Sequence, residues 1–218
     1  MGGQLSTIQI IAVSILPVLF AITVHEVAHG WVAKQLGDRT AQMLGRLTLN
    51  PIKHIDPVGT LLVPGVLMLL GGPVMGWAKP VPVTWENLRN PRRDIALVAV
   101  AGPMANLLMA VFWLLVMKLS LMLNIQPGSM GYGLFLMADV GITINLVLMV
   151  LNLLPMPPLD GGRIVSSLLP GPLSYKFSRL EPYGLFLVLG LFALGVLWPL
   201  ISEPVSLMRT LLYHMAGL

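Results

Sequence analysis

Residues 8–36 read IQIIAVSILPVLFAITVHEVAHGWVAKQL, and this stretch decides the fold. No formally charged side chain occurs from Ile8 to His25, and the first charge is Glu26. About 20 apolar residues in a helix cross the roughly 30 Å hydrocarbon core of a bilayer. No basic segment precedes the run and no small-residue cleavage site closes it. It is therefore expected to persist as a spanning helix rather than be removed as a signal peptide.

The rest of the chain agrees with a membrane setting. Of 218 residues, 56% are hydrophobic and 10% charged, and the mean hydropathy is +0.84. Soluble domains carry about 25% charge, so this chain lacks the side chains to coat a soluble globule. Disorder is excluded by the same balance. A net charge of +4 dispersed over separate loops makes no patch for nucleic acid. With no cysteine, any metal must be held by His, carboxylate or water.

Three further stretches have spanning length: 95–123, 133–154 and about 183–200, the last followed by a tail to residue 218. Residues 57–78 are uncharged but broken by Pro57, Gly59, Pro64, Gly65, Gly71, Gly72, Pro73 and Gly76. Their dense apolar part, 58–70, reaches only about 20 Å as a helix. Basic residues favour re-entry over crossing. Lys34, Arg39, Arg46, Lys53, Lys79, Arg89, Arg92, Arg93, Arg163, Lys176 and Arg179 all fall on one side if 58–70 turns back. The positive-inside rule makes that side cytoplasmic, here the inner side of a prokaryotic cell membrane. The expected fold is an all-α polytopic membrane protein of four to six spans, with a re-entrant, partly β region over 43–85. Residues 1–218 form one membrane-embedded unit.

The first span carries His25-Glu26-Val27-Ala28-His29 in its inner half. Histidines at i and i+4 share one helical face, so both imidazoles can grip one metal ion. Glu26 projects to an adjacent face, within reach of a water on that metal without ligating it. Three polar groups in five membrane residues cost about 2.5–3.5 kcal/mol each when ionised, which argues for function. Zinc so bound takes a third protein ligand and keeps a position for water. The strongest candidate is Asp160, after the helix-breaking Pro155, Pro157 and Pro158 and before Gly161-Gly162, where an unwound chain can aim a carboxylate inward. The competing role for Asp160 is a solvated turn paired with Arg163.

His25-Glu26-x-x-His29, then Gly102-Pro103-x-x-Asn106, then Asn152-x-x-Pro155-x-Pro157-Pro158-Leu159-Asp160-Gly161 resembles the site-2 protease family of zinc intramembrane proteases. Asn50-Pro51-x-x-His54-Ile55-Asp56-Pro57 and the stretch from Gly76 to Val83 are similar to its compact branch, which lacks a PDZ domain. The resemblance implies one Zn2+ per chain on His25, His29 and Asp160, and Glu26 as general base. It implies hydrolysis of peptide bonds within or beside transmembrane segments of membrane-protein substrates. The alternative class is a divalent metal transporter, since intramembrane His and Asp also mark ion pathways, but it gives Glu26 no separate task. A silent relative that only binds membrane proteins is a third class.

The remaining candidates concern the substrate. A helix must unwind before its carbonyls can be attacked, and a free strand edge would stabilise the extended form. Trp77, Lys79 and Val81 lie in a segment whose two prolines restrict it to an edge, with Arg46–Leu49 as its expected neighbour. Asn106 and Asn152 are polar residues within spans, suited to helix–helix hydrogen bonds or to holding an oxyanion. His54 lies beside the re-entrant region.

Overall fold

The computed structural model describes residues 6–69, 76, 78–129 and 131–218. The first helix, α1 (Thr7–Gln35), starts at a capping box in which Ser6 Oγ accepts from the Gln9 amide and Gln9 Oε1 accepts from the Ser6 amide. It passes through Pro17 without ending and stops at Leu36, where Gly37 takes a φ of +118°. A short helix, α2 (Thr40–Met43), follows.

The next region is helical and extended by turns. Asn50 caps a 3-10 turn, Pro51–His54, and Asp56 caps a wide turn, Pro57–Leu62, that runs into α3 (Val63–Leu69). The Lys79 amide donates to His54 O at 2.9 Å. The two ends of the intervening segment therefore meet. Among the described residues no strand forms. The expected pairing of residues 46–49 with 77–83 is replaced by one side chain: Arg46 Nη2 donates to Lys79 O at 2.9 Å and Pro80 O at 3.3 Å. Prolines at 80 and 82 remove two of the donors a ladder would need.

Two long helices form the centre of the molecule. They are α4 (Pro91–Met122) and α5 (Tyr132–Leu153), packed against each other and against α1. Gly141 of α5 lies on the Trp113 ring of α4; a Cβ there would stand 2.3 Å from the ring. The core continues through Leu114, Met117, Ile142, Leu146 and Met149. Beyond α5 come α6 (Asp160–Leu168), α7 (Gly171–Ser178), α8 (Gly184–Ala193) and α9 (Leu197–Ala216).

Helices α1, α4 and α5 are each long and apolar enough to cross a membrane. The expected span over 183–200 is not one helix. The chain breaks at Gly195, whose φ is +70°, and the segments Gly171–Ala193 and Leu197–Ala216 are bent by 81°. Counting them as one broken span gives four crossings. The chain is an all-α, polytopic integral membrane protein. Helix α9 packs on α5 and α4, and its far end is fixed by charge. Arg209 pairs with Asp139, Tyr213 Oη donates to the same carboxylate, and Lys118 Nζ donates to Ala216 O at 2.8 Å. The Asp139 carboxylate is thus engaged by α9.

Candidate metal centre

His25 and His29 lie one turn apart on α1 and both are buried, at 8% and 7% exposure. Asp160, 4% exposed, is the first residue of α6. The loop that delivers it folds tightly back: a Cβ on Gly161 would stand 2.3 Å from Leu154 O, and one on Gly162 would stand 2.6 Å from Met156 O. The backbone of α4 closes the other side, because a Cβ on Gly102 would lie 2.4 Å from His29 Nε2.

Three ligand-type atoms converge here. His25 Nε2 is 3.0 Å from His29 Nε2, and the two nitrogens are 3.3 and 3.2 Å from Asp160 Oδ2. Among the described residues this is the His/carboxylate group arranged to hold a metal. The outer nitrogens fix which atoms face inward. His29 Nδ1 lies 2.7 Å from Val98 O, which can only accept, so Nδ1 carries the proton. His25 Nδ1 lies 2.6 Å from Asn106 Oδ1. The orientation of that amide follows from its other contacts. Asn106 Nδ2 donates to Ala21 O and to Asn145 Oδ1, while Asn145 Nδ2 donates to Gly141 O. His25 Nδ1 must then donate as well.

Both Nε2 lone pairs consequently point at each other and at a buried carboxylate oxygen that has no hydrogen-bond partner. Three acceptors in one buried space require a positive centre. A proton between two of them leaves the third unmatched, whereas a metal ion serves all three. Ligand atoms about 2.0–2.1 Å from a tetrahedral zinc stand about 3.3–3.4 Å apart, close to the separations found. The residues present fit zinc.

Glu26 stands beside this cluster and outside it. Its Oε2 accepts from the Val81 amide at 2.7 Å. Asn106 reaches the cluster through His25, with its side-chain atoms engaged. Asn152 Nδ2 donates to Leu148 O inside its own helix. His54 is buried, with Nε2 on Thr48 O and its carbonyl on the Lys79 amide. The Lys79 side chain is exposed. Trp77 lies outside the described residues. On the outer rim, Arg163 lies 3.9 Å from Asp160 Oδ1 and 3.6 Å from Glu181, over the Trp85 ring.

Two residues absent from the sequence reading matter here. Asn145 orients Asn106, and its only sequence signal is an amide in an otherwise apolar span, where it needs a partner. Asp38 accepts from the Thr40 and Thr84 amides at 3.0 and 2.8 Å and from Asn87 Nδ2 at 3.1 Å. It ties the end of α1 to the segment that carries Val81.

Sequence comparison places the chain in a family. The profile of Peptidase family M50 matches residues 13–132 and 120–191. The chain is 42% identical over 194 residues to "Putative zinc metalloprotease YwhC" of Bacillus subtilis, covering 86% of this chain and 85% of that protein. It is 34% identical over 146 residues to "Putative zinc metalloprotease Rip2" of Mycolicibacterium smegmatis, covering 66% of this chain and 52% of that longer protein. It is 27% identical over 164 residues to "Putative zinc metalloprotease MJ0611" of Methanocaldococcus jannaschii, with 73% and 72% covered. No solved structure matches. The chain belongs to Peptidase family M50 and is an intramembrane zinc metalloprotease of the site-2 type. The transporter alternative has no support.

Proposed function

We propose that His25, His29 and Asp160 hold the zinc and that Glu26 is the general base. The observation that carries this reading is the convergence of two lone pairs and an unpartnered carboxylate oxygen within 3.0–3.3 Å. When bound, zinc polarises the scissile carbonyl and brings the pKa of water near 7. Glu26 takes the proton of the attacking water and returns it to the leaving amine. Asn106 and Val98 O hold the two imidazoles in the tautomer that presents Nε2. Burial of the cluster keeps these interactions in a low dielectric, where charge stabilisation is larger than in water.

The substrate is a membrane protein with a transmembrane segment, unwound locally and laid along residues 79–83. Few amides are free there: the 79, 81 and 84 amides are engaged and 80 and 82 are prolines. A substrate strand therefore pairs chiefly through its own N–H groups, with Val81 O and Pro82 O as acceptors. Lys79 lies exposed at the entrance, and His54 closes the re-entrant segment rather than touching substrate. Asn152, beside the loop to Asp160, and Trp77 remain candidate substrate contacts. The proposed setting is a prokaryotic cell membrane with the site facing the cytoplasm; the bias of eleven basic residues to one side supports that facing.

The test is zinc content and cleavage of a fluorogenic transmembrane-segment substrate by purified wild type and Glu26→Gln. The expected result is about one zinc per chain in both proteins, with kcat lowered by at least about 10²-fold in Glu26→Gln. Absence of zinc from folded wild type, or cleavage by Glu26→Gln at the wild-type rate, would overturn the assignment.

A further inference from the structure

Residues 79–83 read Lys-Pro-Val-Pro-Val, so Val81 is flanked by prolines. Proline has no N–H, and Val81 therefore holds the one amide donor in the Pro80–Pro82 stretch. That donor meets Glu26 Oε2 at 2.7 Å. The contact is prepared from several directions. The Lys79 amide is held by His54 O, Arg46 holds Lys79 O and Pro80 O, and Asp38 holds the Thr84 amide. From the helix side, Gly30 gives the strap room: a Cβ there would stand 2.7 Å from Val81 Cγ1.

No sheet ladder explains this amide, and it ligates nothing in the His/Asp cluster. Its effect falls on the Glu26 carboxylate. A glutamate side chain is among those with the most rotamer freedom to lose, and a hydrogen bond from N–H to a carboxylate is among the stronger ones. With Oε2 fixed, Oε1 has no protein donor among the described residues and stays available to the reacting water. The prolines add register. A slip of one residue in either direction would present a nitrogen without hydrogen to the carboxylate.

We propose that the Val81 amide is a positioning group for the general base, and that Pro80 and Pro82 make it the single donor in its segment. This rests on Glu26 being the base. Val81 itself acts through Glu26 and not on the reacting atoms.

The experiment uses the full chain in detergent with the fluorogenic transmembrane-segment substrate, reading kcat, KM and zinc per chain. Val81→Pro deletes the amide hydrogen. Replacement of Val81 by its α-hydroxy analogue, which makes the 80–81 linkage an ester, deletes it with the side chain kept, and carries the test if the proline variant does not fold. Both should lose about 10- to 100-fold in kcat, with KM within about threefold and zinc content unchanged. Val81→Ala keeps the amide and should lose less in kcat than either amide-deleted variant, with the cost of the lost side-chain packing falling on KM. A wild-type kcat in the ester variant overturns the proposal. So does a kcat in Val81→Ala as low as in the amide-deleted variants, since packing would then explain the loss. Glu26→Gln run alongside separates the two levels: if it cleaves like wild type, the base assignment fails. If it is dead while the ester variant is normal, only the role of the amide fails.

Discussion

Asn106 sets the state of a proposed ligand it lies beside, and the consequence can be measured. Its Oδ1 accepts from His25 Nδ1, and its Nδ2 is held by Ala21 O and Asn145 Oδ1. Removing the acceptor releases the tautomer that presents Nε2. Partners of this kind are worth about 10–100-fold in metal affinity. Asn106→Ala is therefore expected to weaken zinc binding by about that factor in a chelator competition, while Asn106→Asp, which keeps an acceptor, should retain more of it. Equal affinities in wild type and Asn106→Ala would refute the role. The sequence carries His25, Glu26, His29 and Asp160 openly, because helical spacing and proline breaks are local properties. It does not carry the Gly141–Asn145–Asn106–His25 relay, whose members meet only when α1, α4 and α5 pack. An intramembrane amide announces that it needs a partner and leaves the partner unnamed.

At the scale of elements, the extended strap 79–84 is placed by the turn after α1. Asp38 is 1% exposed and accepts from Thr40, Thr84 and Asn87. Burial pushes its carboxyl up, but the hydrogen bonds from the Thr40 hydroxyl, Asn87 and the Thr40 and Thr84 amides outweigh it and hold the group below its ordinary value. A carboxyl depressed on folding contributes stability that is complete above its unfolded pKa of about 3.9 and lost as pH falls through the lower folded value. Asp38→Asn should lower stability at pH 7 by about 1.5–3 kcal/mol. Its melting temperature in detergent should also fall less steeply than that of wild type below about pH 4. Parallel melting curves from pH 7 to pH 3 would count against the argument. The proline pattern predicts an edge strand here, and among the described residues the segment forms no strand. The strap's anchors are not legible in the sequence, because Asp38 and Thr84 are 46 positions apart and no periodicity links them. The same limit explains the missing ladder with residues 46–49, where the guanidinium of Arg46 takes the place expected for backbone pairing.

Across the whole molecule, the positive-inside reading assigns eleven of the thirteen basic residues to one side, and the other two are Lys118 and Arg209. Each of these has a specific partner: Lys118 meets the carbonyl at the end of α9, and Arg209 meets Asp139 of α5. The hydropathy of 183–200 suggested a span there. The fourth span instead comes from the bent pair of segments on either side of Gly195, in which α9 buries Leu197, Ile201 and Val205 in the core while Arg209 and Tyr213 face Asp139. Asp139 lies seven residues into α5, about 10 Å along the helix, so its carboxylate depends on that pairing. Replacing Arg209 by Met leaves the carboxylate without its cation, at a cost of about 2–3 kcal/mol by comparison with lone charges in spanning helices. Asp139→Asn with the arginine intact should cost somewhat less, since a long side chain can reach the headgroups. In the double variant, Asp139→Asn with Arg209→Met, neither charge is stranded, and its loss of stability in a thermal melt should be smaller than that of Arg209→Met alone. A double variant whose loss equals the sum of the two single losses would show that the pair is uncoupled and that α9 is held by apolar packing alone.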